Sequence, residues 1–148
     1  RRPPLDRINA LISFGNSVFY TTVLSEIYQT QLDPRIGYLH STNTRSFTLN
    51  LDVSEIFKPL IVDRAIFTLL NRSIITKDDF SKVFNGIMMN ENGRKKFMQE
   101  YNNKLGTTIN NSELKNPVSY KRIIRMELYK LQKHITEGKE YHGFVARW

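Results

Sequence analysis

Apolar positions along the chain recur mostly three or four residues apart, the spacing of one buried helix face, and the longest such run comes first. Asp6 stands at an N-cap position behind two prolines, and Leu5, Ile8, Leu11, Ile12, Phe14, Val18, Phe19, Val23, Leu24 and Ile27 follow with few charges between them. This predicts a long, mostly buried helix over residues 6–29. Asp33-Pro34 and Gly37 end the pattern, and the polar run to Arg45 predicts a connecting segment that carries His40. The alternation over residues 47–51 is too short to separate a strand from an extended lead-in.

From Asp52 the helical spacing returns with Ile56, Phe57, Leu60, Ile61, Phe67 and Leu70, predicting a second core helix over residues 52–72 that Pro59 bends or splits. Thr76 with Asp79 three residues on has the form of a capping box ahead of Phe80, Val83 and Phe84, which predicts a short third helix. A fourth is expected over residues 91–105, closed by Gly106, and residues 107–116 read as an exposed polar loop. Ser119 caps a last helix over residues 119–137, with Ile124, Leu128, Leu131 and Ile135 as its apolar stripe and Gly138 as its stop. The sum is an all-α fold, a helical bundle of about five helices within one domain spanning residues 1–148.

Composition changes this picture in two ways. There is no cysteine, which removes disulfides, thiolate metal sites and a thiol nucleophile, and fits a reducing, cytoplasmic setting. No stretch approaches the ~20 apolar residues of a membrane helix, so no membrane partner is expected. The formal net charge is +8, and +5 of it falls between Lys115 and Trp148, with Lys121, Arg122, Arg125, Lys130 and Lys133 on the last helix. Such a face suits a polyanion such as DNA, although a solvated helix surface has the same composition.

Common enzyme templates are missing: no Gly-rich phosphate loop, no G-x-S-x-G elbow and no H-E-x-x-H helix. What remains is His40 with Asp52 and Glu55. If Asp52 opens the second helix, the two acids share a face and their carboxylates can approach one ion. Imidazole with carboxylates suits Mn²⁺, or Mg²⁺ with a tolerated nitrogen. Equally, acids in a first helical turn answer the macrodipole, a loop histidine makes an ordinary hydrogen bond, and Tyr20 is a core aromatic.

Three ordered strings then bear on the choice. The runs Asp6-Arg7-Ile8-Asn9-Ala10-Leu11-Ile12-Ser13-Phe14-Gly15-Asn16-Ser17, Leu32-Asp33-Pro34-Arg35-Ile36-Gly37-Tyr38-Leu39-His40 and Leu49-Asn50-Leu51-Asp52-Val53-Ser54-Glu55-Ile56-Phe57-Lys58-Pro59-Leu60-Ile61-Val62-Asp63-Arg64 resemble the CRISPR-associated integrase family Cas1. The likeness continues through Asn92-Gly93-Arg94-Lys95-Lys96-Phe97 and the aromatic tail to Trp148, and its wording is nearest to the type I-B branch.

The resemblance implies the C-terminal catalytic domain of the CRISPR adaptation integrase, a metal-dependent DNA endonuclease and integrase for spacer acquisition. It makes His40 and Glu55 metal ligands within reach of one ion and Asp52 their companion acid, for Mn²⁺ or Mg²⁺. Lys58 matches a basic residue poised for phosphate, and Tyr20 a tyrosine beside the active site; Lys121, Arg122, Arg125 and Lys133 would add backbone contacts. Implied partners are double-stranded DNA (spacer precursor and CRISPR repeat), a Cas2 protein, and a second integrase copy in a homodimer. The family's further ligand is a glutamate ahead of the Asp-x-Ile-Asn segment, on a helix preceded by a small β-sheet domain. Only five residues precede Asp6, so the expectation is a fragment with an incomplete site, and Glu26 has the wrong motif to substitute. The competing expectation is a non-enzymatic basic helical module that binds DNA or a protein.

Overall fold

The computed structural model describes residues 3–35, 48–112 and 114–145. In chain order these form α1 (Arg7–Ile27), α2 (Thr48–Lys58), a π-helical turn (Pro59–Asp63), α3 (Arg64–Asn71), a 3₁₀ turn (Lys77–Asp79), β1 (Phe80–Val83), β2 (Gly86–Met89), α4 (Glu91–Gly106), β3 (Thr108–Asn110), β4 (Pro117–Ser119) and α5 (Tyr120–Glu137). Helix dominates, as the spacing predicts. The described residues divide into two compact units, one taking the chain up to Phe19 and from Lys58 to Gly106, the other Tyr20 to Phe57 and everything after Gly106.

In the first unit, Asp6 caps α1 by accepting the Asn9 N–H at 2.8 Å. Leu5 and Ile8, expected on the buried face, are 82% and 57% exposed, and burial begins only at Ala10 and Leu11. Pro59 does not break the second helix: it has no N–H for the carbonyl four residues back, and the backbone takes up the defect as one wide π turn before resuming in α3. The core forms where α1, this turn, α3 and α4 supply Leu11, Ile61, Leu69 and Phe97, each about 1% exposed or less. Gly15 lets α1 approach closely, since a Cβ there would lie 2.7 Å from Val62 Cγ1 and 2.9 Å from Phe97 Cζ.

The short third helix is replaced by a hairpin. Thr76 and Asp79 do form the capping box, with the Asp79 carboxylate accepting the Thr76 N–H at 2.8 Å, but it closes a single 3₁₀ turn. Phe80 to Val83 then pair antiparallel with Gly86 to Met89 through a two-residue turn in which Asn85 has a φ of 63°. Gly86 is needed there because the Pro4 carbonyl accepts the Ile87 N–H at 2.8 Å, and a Cβ on Gly86 would fall 2.6 Å from that oxygen. Asp79 is buried and also holds Lys96 Nζ and Asn92 Nδ2 of α4, each at 3.0 Å.

Burial pushes the Asp79 carboxyl up, but the Thr76 N–H, Lys96 and Asn92 outweigh it and hold the acid below its ordinary 3.8. A depressed folded-state value means stabilisation that is complete above the unfolded value near 3.9 and is lost as pH falls through the folded value. Asp79→Asn should therefore flatten the loss of stability below about pH 4, read as Tm against pH. An unchanged acid limb would contradict this assignment.

In the second unit, α5 begins where Ser119 Oγ accepts the Arg122 N–H at 3.2 Å and ends at Gly138, whose φ is 67°. Ile124, Leu128 and Leu131 are buried as expected, while Ile135 is 55% exposed, so the stripe stops one turn early. The polar loop expected over residues 107–116 begins with β3, which pairs antiparallel with β4 in the register Thr108 to Ser119. α2 starts at Thr48, four residues before the expected start, and Leu49, Val53 and Phe57 bury one side of it.

Candidate metal and nucleic-acid site

Asp52 and Glu55 both lie on α2, but the early helix start puts Asp52 in its second turn, where the N-terminal dipole is a weaker reason for an acid. Asp52 is 5% exposed and Glu55 is open to solvent, so the pair straddles the rim between the interior and the surface. Oxygen donors at such a rim fit a hard divalent cation, which needs protein carboxylates on one side and water or phosphate on the other. His40 lies outside the described residues, and among the described residues no three His, Asp or Glu side chains gather in one cluster.

What orients α2 is a residue the sequence reading passed over. Asn50 is 6% exposed, donates from Nδ2 to the Tyr20 carbonyl at 2.9 Å, and accepts from Ser54 Oγ at 3.2 Å. Asn50 and Ser54, four apart and so on one face of the helix, were the available signal. Half-buried Tyr20 thus meets α2 through its backbone, one turn from the acids. Lys58, half-buried, ends α2, where a cation is favoured by the helix dipole.

The basic face of α5 forms an open groove of about 510 Å³ walled by Ser119, Lys121, Arg122, Arg125, Met126 and Tyr129. Lys121, Arg122 and Lys133 are exposed. Arg125 differs from the expectation of a plain phosphate contact, because its Nε donates to Glu26 Oε2 at 2.6 Å. Glu26 is only 3% exposed, and its hydrogen bond and charge hold the guanidinium proton more firmly than usual. Glu26 is paired with Arg125 of α5, and among the described residues it belongs to no group of metal-capable side chains. No helix among the described residues is long and apolar enough to cross a membrane.

Comparison with known proteins identifies the family and the fold. The family model for CRISPR associated protein Cas1 matches residues 1–103. The chain is 57% identical over its whole length to a CRISPR-associated endonuclease Cas1 from Thermodesulfovibrio yellowstonii, of which it spans 45%. It is 51% identical over 143 residues to the Cas1 endonuclease of Thermotoga maritima, spanning 44% of it. A solved CAS1 structure from Thermotoga maritima superposes with a TM-score of 0.85 at 48% identity, over 96% of this chain and 43% of that one. A casposase bound to integration product shares the fold, with a TM-score of 0.87 at 24% identity over 97% of this chain and 40% of that one. The chain spans less than half the length of these relatives, and it belongs to the Cas1 family of CRISPR-associated proteins.

Proposed function

We propose that this chain is the helical, metal-binding part of a Cas1 endonuclease and integrase that cleaves and joins DNA phosphodiesters during spacer acquisition. The observation that carries the reading is the acidic pair of α2, set at the rim of one helix whose buried face is tied to α1 through Asn50. Asp52, Glu55 and His40 would hold Mn²⁺ or Mg²⁺, a donor set of oxygens and one imidazole that suits Mn²⁺ best. A bound ion would polarise the phosphodiester and offset charge developing on it during in-line displacement. Asp52 is buried and Glu55 exposed, so the buried acid would supply a fixed oxygen donor while the exposed one would meet the DNA backbone. Further ligands, the homodimer and a Cas2 partner belong to the complete protein that carries this chain.

The test is chelation. Cleavage and strand transfer by the complete protein should vanish with EDTA and return with Mn²⁺ or Mg²⁺; activity that persists through chelation would contradict the reading.

Lys121 and Arg122 are assigned to DNA phosphates, sequence-independently. Each phosphate neutralised adds roughly −0.9 to the slope of log affinity against log salt. Replacing both by glutamine should flatten that slope by about 2. Arg125→Gln should change it less than either single replacement, because Glu26 already balances that charge. Equal slopes for all variants would remove α5 from the interface.

A further inference from the structure

Of the buried carboxylates, Glu26 and Asp79 each have a cation at 2.6 and 3.0 Å, whereas Glu127, 1% exposed, has Lys130 Nζ only at 3.5 Å. Its other partners come from the segment after α5. Glu127 Oε1 accepts the Tyr141 hydroxyl and, at 3.0 Å, the Phe144 N–H. The left-handed turn at Gly138 and the 2.7 Å contact between His134 Nδ1 and the Lys139 carbonyl reverse the chain, so residues 139–145 run back along α5. That brings the Phe144 ring onto Phe57 of α2, with centroids 5.2 Å apart and planes 26° from parallel.

Phe57 is fully buried and stands seven residues, or two turns, beyond Asn50, so both project from the same face of α2. One end of that face is tied to the Tyr20 carbonyl through Asn50, and the other is clamped by Phe144 on Phe57. Asp52 and Glu55 lie between the two anchors. We infer that Glu127 is a positioning residue, which straps residues 139–145 across α5 so that Phe144 fixes the rotation of α2 and the setting of its carboxylates. The inference rests on the reading of Asp52 and Glu55 as the metal-binding pair.

The experiment compares Glu127→Gln, Phe144→Ala, Phe144→Tyr and Glu55→Ala with the complete wild-type protein. Four quantities are read: amide hydrogen exchange over residues 139–145, Mn²⁺ affinity by electron paramagnetic resonance, and kcat and KM for strand transfer. Glu127→Gln should speed exchange at Phe144 about tenfold. Phe144→Ala should weaken Mn²⁺ binding and lower kcat, each about tenfold, the size of effect expected when support around a metal ligand is lost. KM for DNA should stay within about twofold, and Phe144→Tyr, which keeps the ring, should restore both. If truncating the ring unfolds the protein, Tyr141→Phe, which deletes one hydroxyl donor, should give the same pattern in milder form. Faster exchange with wild-type Mn²⁺ affinity and kcat would overturn the inference alone. A Glu55→Ala protein that binds Mn²⁺ and turns over normally would instead sink the reading beneath it.

Discussion

Replacing Glu55 by alanine in the complete protein should lower strand transfer at least about 100-fold while DNA affinity stays within about twofold. Loss of a residue that merely supports a metal ligand costs roughly 10- to 100-fold, and loss of a ligand costs no less. Glu55 is exposed, so its truncation should cost less stability than replacement of a buried acid, and a Tm within a few degrees of wild type would assign the loss to chemistry. Asp52 is a poorer probe, because it is 5% exposed and its replacement also disturbs the interior. His40→Ala should match Glu55→Ala in turnover and likewise spare binding, since it leaves the lysines and arginines of α5 in place. Single-turnover joining of a DNA 3′-hydroxyl measures both, and wild-type rates would favour a non-enzymatic binding module.

The second large effect concerns stability. Phe97→Ala should destabilise the fold by about 3–5 kcal/mol, the cost of deleting a buried aromatic together with the cavity it leaves. The ring is fully buried, meets Phe14 edge-on at 5.2 Å, and stacks near Tyr101 at 6.3 Å. Gly15 has no side chain that could move into the space. Phe84 is 90% exposed at the hairpin turn, and Phe84→Ala should change stability by less than about 0.5 kcal/mol. Urea unfolding distinguishes the two, and equal midpoints would show that Phe97 is not a core anchor.

The elements legible in the sequence were those with local end signals. Asp6, Ser119 and Gly138 are caps whose side chains or backbone freedom act within one turn, so α1 and α5 fall within two residues of expectation. The hairpin was not read because Phe80, Val83 and Phe84 mimic helical spacing, and a real capping box stands before them. Asn85 was the contrary signal, a residue that readily takes the positive φ a two-residue turn requires. The start of α2 was misplaced because Thr48 to Leu51 lack a charge or a proline to mark it.

For the site, short-range order placed Asp52 and Glu55 on one helix, but their division into a buried and an exposed acid depends on tertiary packing. The same holds for the Arg125–Glu26 pair and for the Phe144–Phe57 contact. Glu26 lies 99 residues from Arg125 and Phe57 lies 87 from Phe144, separations at which no periodicity carries information. His40 falls outside the described residues, so its place beside Glu55 remains a proposal.

The most direct test of the α2 metal site is affinity cleavage. Fe²⁺ loaded in place of Mn²⁺, with ascorbate and peroxide, generates hydroxyl radicals that cut the backbone within a few ångströms of the ion, and mass spectrometry locates the cuts. The account predicts cleavage beside residue 40 and over residues 52–55, suppressed by excess Mg²⁺. Cuts elsewhere in the chain, with both segments intact, would contradict it.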